Sequence, residues 1–435
     1  MASTPVSDVK KSGINPIIII GALFFIFGFV TWLNGTLIPY LKIACELTNF
    51  QAYLVTTAFY IAYLLMAEPS AWALKVFGFK NGMAVGLVLI AVGAFIFIPA
   101  ALTRTYAIFL IGLFVQGSGL AILQSASNPY ITILGPAESA AKRISIMGIF
   151  NKCAGVLAPI ALGSVVLNNI DEFTANLAKL NPAEKIVQLN QLASRVIVPY
   201  ILIVVVLIIL AILIYFSGLP EIDTDHEDAA VAAANSGKTS VFQFPHLVIG
   251  VIALFFYVGA EVIAGDSIIN YGVAHHIPLS EARYLASATL SFMVLGYIAG
   301  IIFIPKYITQ QKALVYSAIF GLILTVGAIL APKYISIGCI ALLGLANSLM
   351  WPAIWPLALS GLGRFTKIGS SLLVMGIAGA AVFPPLYGLL IDGTKASLGA
   401  EMAAQVSYWI LLPIYAFILY FATVGYKKGK HVVAV

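Results

Sequence analysis

The sequence predicts an all-α membrane protein of twelve spanning helices, and three observations carry that prediction. The first is composition. Of 435 residues, 61% are hydrophobic and only 9% charged, against about 45–50% and about 25% in a soluble domain. A protein folded in water leaves much of its surface exposed, so an apolar excess of this size has nowhere to hide. The second is spacing. A helix needs about 20 apolar residues to cross a bilayer, and such runs fall at 15–41, 50–76, 81–102, 106–134, 143–168, 196–217, 245–272, 282–305, 311–331, 334–361, 366–391 and 403–426. The third is punctuation, because Lys, Arg, Gly or Pro marks nearly every gap between runs.

In chain order, Met1 to Gly13 is polar and carries Lys10 and Lys11. The run behind it is too long for a cleaved signal and lacks a small-residue cleavage site, so it is expected to serve as both first span and insertion signal. With the amino terminus in the cytoplasm, 14 of the 23 Lys and Arg fall inside and eight outside, with Lys152 left within a span. That bias places both termini in the cytoplasm. In the outer loop Asn168 to Arg195, the stretch Asn181-Pro-Ala-Glu184 is a helix start, and a short surface helix is expected there. The loop Gly218 to Ser240 holds Glu221, Asp223, Asp225, Glu227 and Asp228 among small residues and reads as a flexible acidic linker. It divides the chain into 1–217, a linker 218–243, and 244–435, with six spans on either side.

The two halves repeat. A shift of 225 residues brings Gly119 onto Gly344, Leu120 onto Leu345, Lys142 onto Lys367, Ser145 onto Ser370, Pro159 onto Pro384 and Gly163 onto Gly388. The shift preserves membrane sidedness, as expected for parallel six-span repeats forming two six-helix bundles with a substrate bound near the midplane between them.

Several function classes are excluded. The net charge is +6, but the cations are spread singly, without the aromatic interleaving that nucleic-acid binding needs. Cys45, Cys153 and Cys339 are too few and too scattered for a disulfide frame or a metal site. No H-E-x-x-H, G-x-S-x-G or G-x-x-x-x-G-K is present, so neither an enzyme nor an ATP-driven pump is expected, and no cofactor. His275 and His276 are expected on an exposed outer loop. The partners expected are a small solute and the lipid bilayer, for a monomer in a plasma membrane.

Polar residues inside spans are costly and usually face a cavity. Glu261 is the deepest acid, in Tyr257-Val-Gly-Ala-Glu261, and Asp266 lies five residues on, about 7.5 Å along a helix. A carboxylate there carries a proton or ligates Na⁺. Its competing use is an ion pair with Lys152, the one cation within a span. Glu68 lies toward the cytoplasmic end of its span. Neutral polar groups cluster as well: Trp32 and Asn34 in the first span, Gln124 and Asn128 in the fourth, Asn151 in the fifth, and Asn347 with Trp351 and Trp355 in the tenth. Amides both donate and accept, which suits a hydroxyl-rich ligand, and an indole face stacks on a sugar ring. A helix-to-helix bond is the alternative use of any single amide.

Five stretches are similar to a known group: Leu33-Asn-Gly-Thr-Leu-Ile-Pro39, Leu47-Thr-Asn-Phe-Gln51, Ile122-Leu-Gln-Ser-Ala-Ser-Asn-Pro-Tyr130 with Leu134-Gly-Pro136, Tyr257-Val-Gly-Ala-Glu261, and Gly369-Ser370. They resemble the sugar porters of the major facilitator superfamily, and within them the L-fucose:proton symporter family with its glucose/galactose branch. The resemblance covers essentially all twelve spans, although the superfamily's basic loop signature between spans two and three is reduced to Lys75 and Lys80. It implies the major facilitator fold, a bacterial inner membrane, and hexose import by cation-coupled symport with alternating access. It implies sugar-binding roles for Asn34, Gln124, Asn128, Asn151, Asn347 and Trp351, and ion coupling through Glu261, with Lys152 and Asp266 beside it. The coupling ion is H⁺ or Na⁺. Gly35 stands where the fucose symporters carry an aspartate, Gln124 where they carry a glutamate, and Lys152 where a serine is usual. The alternatives are an uncoupled facilitator, or a symporter of fucose or N-acetylglucosamine.

Overall fold

The computed structural model describes residues 16–133, 140–219, 239–304 and 306–429. The polar amino terminus and most of the acidic linker lie outside the described residues. Among the described residues all regular structure is helical. The first half comprises α1 (Pro16–Trp32), α2 (Asn34–Ala44), α3 (Asn49–Leu65), α4 (Ala67–Thr103), α5 (Tyr106–Ile133), α6 (Ala140–Val166), α7 (Ile170–Leu177), α8 (Pro182–Ser194) and α9 (Ile197–Tyr215). The second comprises α10 (Pro245–Asp266), α11 (Ile268–Ala274), α12 (Leu279–Ala282), α13 (Leu285–Phe303), α14 (Gln310–Leu330), α15 (Lys333–Ser348), α16 (Met350–Leu359), α17 (Thr366–Met375), α18 (Gly379–Val406) and α19 (Leu411–Thr423).

Ten helical segments of the described residues are long and apolar enough to cross a membrane. The longest, Ile368–Lys427, runs for 60 residues, about 90 Å if it were straight. It turns back at Gly399, whose φ of 78° suits a residue without a Cβ. Gly78, with φ 77°, breaks α4 in the same way. The helix α3 has 17 residues. It starts with a capping box, in which Thr48 accepts from the Gln51 amide while Gln51 reaches back to the Thr48 amide. The expected loop helix is α8. Asn181 and Glu184 form its capping box, with Pro182 in the first turn.

Helix-to-helix contact between the halves runs mainly along α3 on α18 and α6 on α13. Within each half glycines allow backbones to touch, Gly117 and Gly344 among them. A Cβ on Gly117 of α5 would lie 2.0 Å from the Phe59 carbonyl of α3, and a Cβ on Gly344 of α15 would lie 2.0 Å from the Thr289 carbonyl of α13. These contacts sit at nearly corresponding places under the sequence repeat.

Among the apolar runs that read as continuous spans and are interrupted, three breaks lie at Leu33 between α1 and α2, at Ser267 between α10 and α11, and at Leu349 between α15 and α16. Irregular backbone at membrane depth survives where protein covers it or a cavity borders it. The breaks lie beside Asn34, Asp266 and Asn347, all of them buried.

One expectation is corrected. His276 is exposed as expected, but His275 is fully buried. The last turn of α11 tucks its ring against Tyr271, with centroids 4.3 Å apart, and brings Nδ1 within 3.1 Å of Glu401 Oε1. Burial outweighs the Glu401 carboxylate and holds the His275 ring below its ordinary range.

Candidate functional site

The centre of the site is a buried ion pair between the halves. Lys152 Nζ on α6 lies 2.7 Å from Glu261 Oε1 on α10, and each residue is 7% exposed. The ammonium also sits 4.4 Å from the centre of the Trp32 ring at the end of α1. A cation over an indole face gains from the ring quadrupole, more so where water is excluded. Trp32 is wedged in place: a Cβ on Gly155 of α6 or on Gly265 of α10 would fall 2.6 or 2.5 Å from its ring. Two glycines thus let three helices close around one indole.

Asp266, five residues along from Glu261, is 1% exposed, and neither of its oxygens has a hydrogen-bond partner. It faces the first broken helix, where a Cβ on Gly35 would lie 3.1 Å from Asp266 Oδ1. The carboxylate next to Gly35 is therefore Asp266, although the 225-residue repeat pairs that region with Glu261. Asn34 is buried, and its Nδ2 lacks a partner. The Thr36 hydroxyl is likewise unpartnered. A buried donor or acceptor left unmade costs about 1–3 kcal/mol. Asp266, Asn34 and Thr36 thus leave hydrogen-bonding capacity unused beside the ion pair.

The remaining expected residues divide. Asn347 Oδ1 accepts from the Tyr415 hydroxyl at 2.9 Å, while its Nδ2 is unpartnered. Trp351 and Trp355 are half-buried and stacked, with centroids 5.2 Å apart. Trp351 also meets Tyr257 at 6.4 Å. Tyr257 precedes Glu261 by four residues of α10, about 6 Å along the helix, and so links the aromatic group to the ion pair. Gln124 donates to the Tyr63 hydroxyl at 3.0 Å, and Asn151 donates to the Phe24 carbonyl at 3.4 Å. Both amides have the helix-to-helix use that competes with ligand binding. Asn128 is half-buried on α5, and Glu68 is exposed in the first turn of α4, away from the pair.

Sequence reasoning did not select Trp32, Tyr63, Tyr257 or Tyr415. Trp32 had a signal, because it lies among the polar residues of the first span, and Tyr257 opens the stretch that ends at Glu261; Tyr63 and Tyr415 are scattered among 20 tyrosines. A cavity of about 250 Å³ lies apart from all the expected residues, lined among others by Lys42, Asn49, Asn270, His276 and Lys395. The central residues instead lie packed against one another. Among the described residues no cluster of His, Cys, Asp and Glu has the makings of a metal site.

The sequence pattern of the Major Facilitator Superfamily matches residues 20–384, and the chain belongs to that superfamily. A glucose/galactose transporter of Brucella abortus is 36% identical over 412 residues, covering 93% of each chain. The L-fucose-proton symporter of Escherichia coli is 30% identical over 407 residues, covering 92% of each. Among solved structures, the superfamily transporter FucP in its outward conformation matches with a TM-score of 0.68 and 29% identity, over 93% of this chain and 99% of that one. A D-xylose-proton symporter structure matches at 0.67 with 16% identity, a likeness of fold alone. Family and fold are those of transporters in a membrane, not of enzymes.

Proposed function

We propose that the protein imports a hexose together with a proton across a bacterial inner membrane by alternating access. It does so as a monomer of twelve spans in two six-helix bundles, 1–217 and 244–435, joined by the cytoplasmic linker 218–243, with both termini in the cytoplasm. Ten apolar segments, one long enough to cross twice, together with the 17-residue α3, support the count. The glucose/galactose and L-fucose-proton relatives support hexose as the substrate and the proton, rather than Na⁺, as the coupling ion.

One observation carries the coupling mechanism: a buried carboxylate bonded to a cation, five residues from one that bonds to nothing. Glu261 is neutralised by Lys152. Asp266 has no hydrogen-bond partner, and a buried carboxylate without one is costly. A proton arriving at Glu261 would release Lys152, and one leaving Asp266 would recruit it, so the ammonium arbitrates between the two acids. Asn34, Asn347 and Trp351, with Gln124, Asn128 and Asn151, meet the sugar. Protonation of Glu261 and sugar binding together break the ion pair that holds the site closed.

A specific observation favours a second reading. A fixed Lys152 ammonium already occupies the place of a bound cation, as expected for an uncoupled facilitator. Proteoliposomes separate the two. With a sugar panel of glucose, galactose, fucose and N-acetylglucosamine, an imposed proton gradient should drive one hexose above its equilibrium level, and an imposed Na⁺ gradient should not. Uptake that stops at equilibrium under every gradient would establish the facilitator.

A further inference from the structure

Two carboxylates far from the ion pair bridge the halves in a reciprocal way. Asp392 of α18 in the second half reaches the first turn of α3 in the first half. Its Oδ1 accepts from Asn49 Nδ2 at 2.6 Å and from the Asn49 amide at 3.3 Å, and its Oδ2 accepts from the Phe50 amide at 2.8 Å. Asp171 of α7 in the first half reaches the loop entering α12 and α13 in the second. Its Oδ1 accepts from the Leu279 amide at 2.8 Å and its Oδ2 from the Ser280 amide at 3.1 Å. Each half therefore supplies one carboxylate and one pair of backbone amides. Asn49 also accepts from Lys42, and Arg283 donates to the Gly163 carbonyl at 3.0 Å, so each bridge has a cation beside it. The cavity lined by Lys42, Asn49, His276 and Lys395 brings residues of α2, α3 and α18 and of the turn after α11 together at one end of the molecule, the end that charge bias places outside the cell. The Asp171 carboxylate is partly buried, which opposes its charge. The Ser280 and Leu279 bonds and the Arg283 guanidinium outweigh that and hold it below the usual carboxylate range.

We propose that Asp171 and Asp392 are paired outer latches, positioning residues that hold the outer ends of the two halves together and set how often the protein opens to the outside. This rests on the alternating-access reading above. A charged acceptor on backbone amides is among the stronger net hydrogen bonds. Both pairs straddle the contacts α3 on α18 and α6 on α13, which must part for the outer side to open. Neither carboxylate touches the candidate sugar or proton site.

The test is side-specific labelling. In a background with the three cysteines replaced by serine, Ala404→Cys places a thiol at a buried position lining the outer cavity. A membrane-impermeant maleimide is added to right-side-out vesicles. Asp171→Asn and Asp392→Asn should each speed labelling about tenfold, equivalent to about 1.4 kcal/mol, and the double variant should exceed either. Asp171→Glu and Asp392→Glu, which keep the charge, should fall between the Asn variants and the parent. If the Asn variants fold poorly, the Glu series alone decides, because a rate equal to the parent's in both overturns the proposal. So does a folded Asn double variant, with parental melting temperature, that labels at the parental rate. The labelling needs neither sugar nor gradient. Failure of sugar uptake with the labelling response intact therefore overturns the transport reading and not the latches.

Discussion

Glu261 and Asp266 lie five residues apart on one helix, both buried, and the protein treats them differently. Glu261 is held by Lys152 at 2.7 Å, under the face of Trp32. Asp266 faces Gly35 with no partner for either oxygen. Burial alone therefore does not say what a carboxylate does within a membrane span. The difference lies in a cation supplied by another helix, 109 residues away in sequence. The paired acid cannot take up a proton without breaking its bridge, and the unpaired one has no bridge of its own to break.

Removing the cation breaks the comparison most severely. Lys152→Met leaves Glu261 buried and uncompensated, and should cost about 3–5 kcal/mol, read as a fall in melting temperature in detergent. Adding Glu261→Gln should restore most of it, since removing both members of a buried pair is often nearly neutral. Trp32→Ala should follow, at about 3–5 kcal/mol for a buried aromatic but toward the lower end, because Gly155 and Gly265 allow the helices to close the gap. Gly35→Ala presses a methyl against Asp266 Oδ1 and should cost about 1 kcal/mol, measured the same way. Asp266→Asn should change stability least, by less than about 1 kcal/mol, because it exchanges one unbonded polar head for another of the same shape. Its effect should be read in transport instead: sugar counterflow persists while accumulation against a gradient is lost. Retained accumulation in that variant would remove Asp266 from the coupling mechanism.

The apolar spans were legible because composition within each run is a local property. The loop helix α8 was legible because Asn181 and Glu184 carry their own capping chemistry. The site was legible as residue types: Glu261, Asp266, Lys152, Asn34 and Asn347 stand out as polar groups in apolar runs, and all are buried. Their partners were not legible. Nothing local distinguishes Glu261 from Asp266 as the mate of Lys152, and nothing in Tyr63 or Tyr415 announces that each occupies an amide. Asp171 and Asp392 read as ordinary loop acids, because an acceptor for backbone amides is defined only by where the other half lies. His275 failed as an exposed loop residue for the same reason, since its burial depends on Tyr271 and Glu401.

The position of Trp32 has a spectroscopic consequence. The chain has five tryptophans. Trp72 and Trp409 are more than half exposed, and Trp351 and Trp355 are stacked on each other. Among the described cation–ring contacts, Trp32 is the one indole beneath an ammonium. Its emission should therefore respond to the charge above it. With the other four replaced by phenylalanine, the intrinsic fluorescence of the protein becomes a direct optical signal for the making and breaking of the Lys152–Glu261 pair.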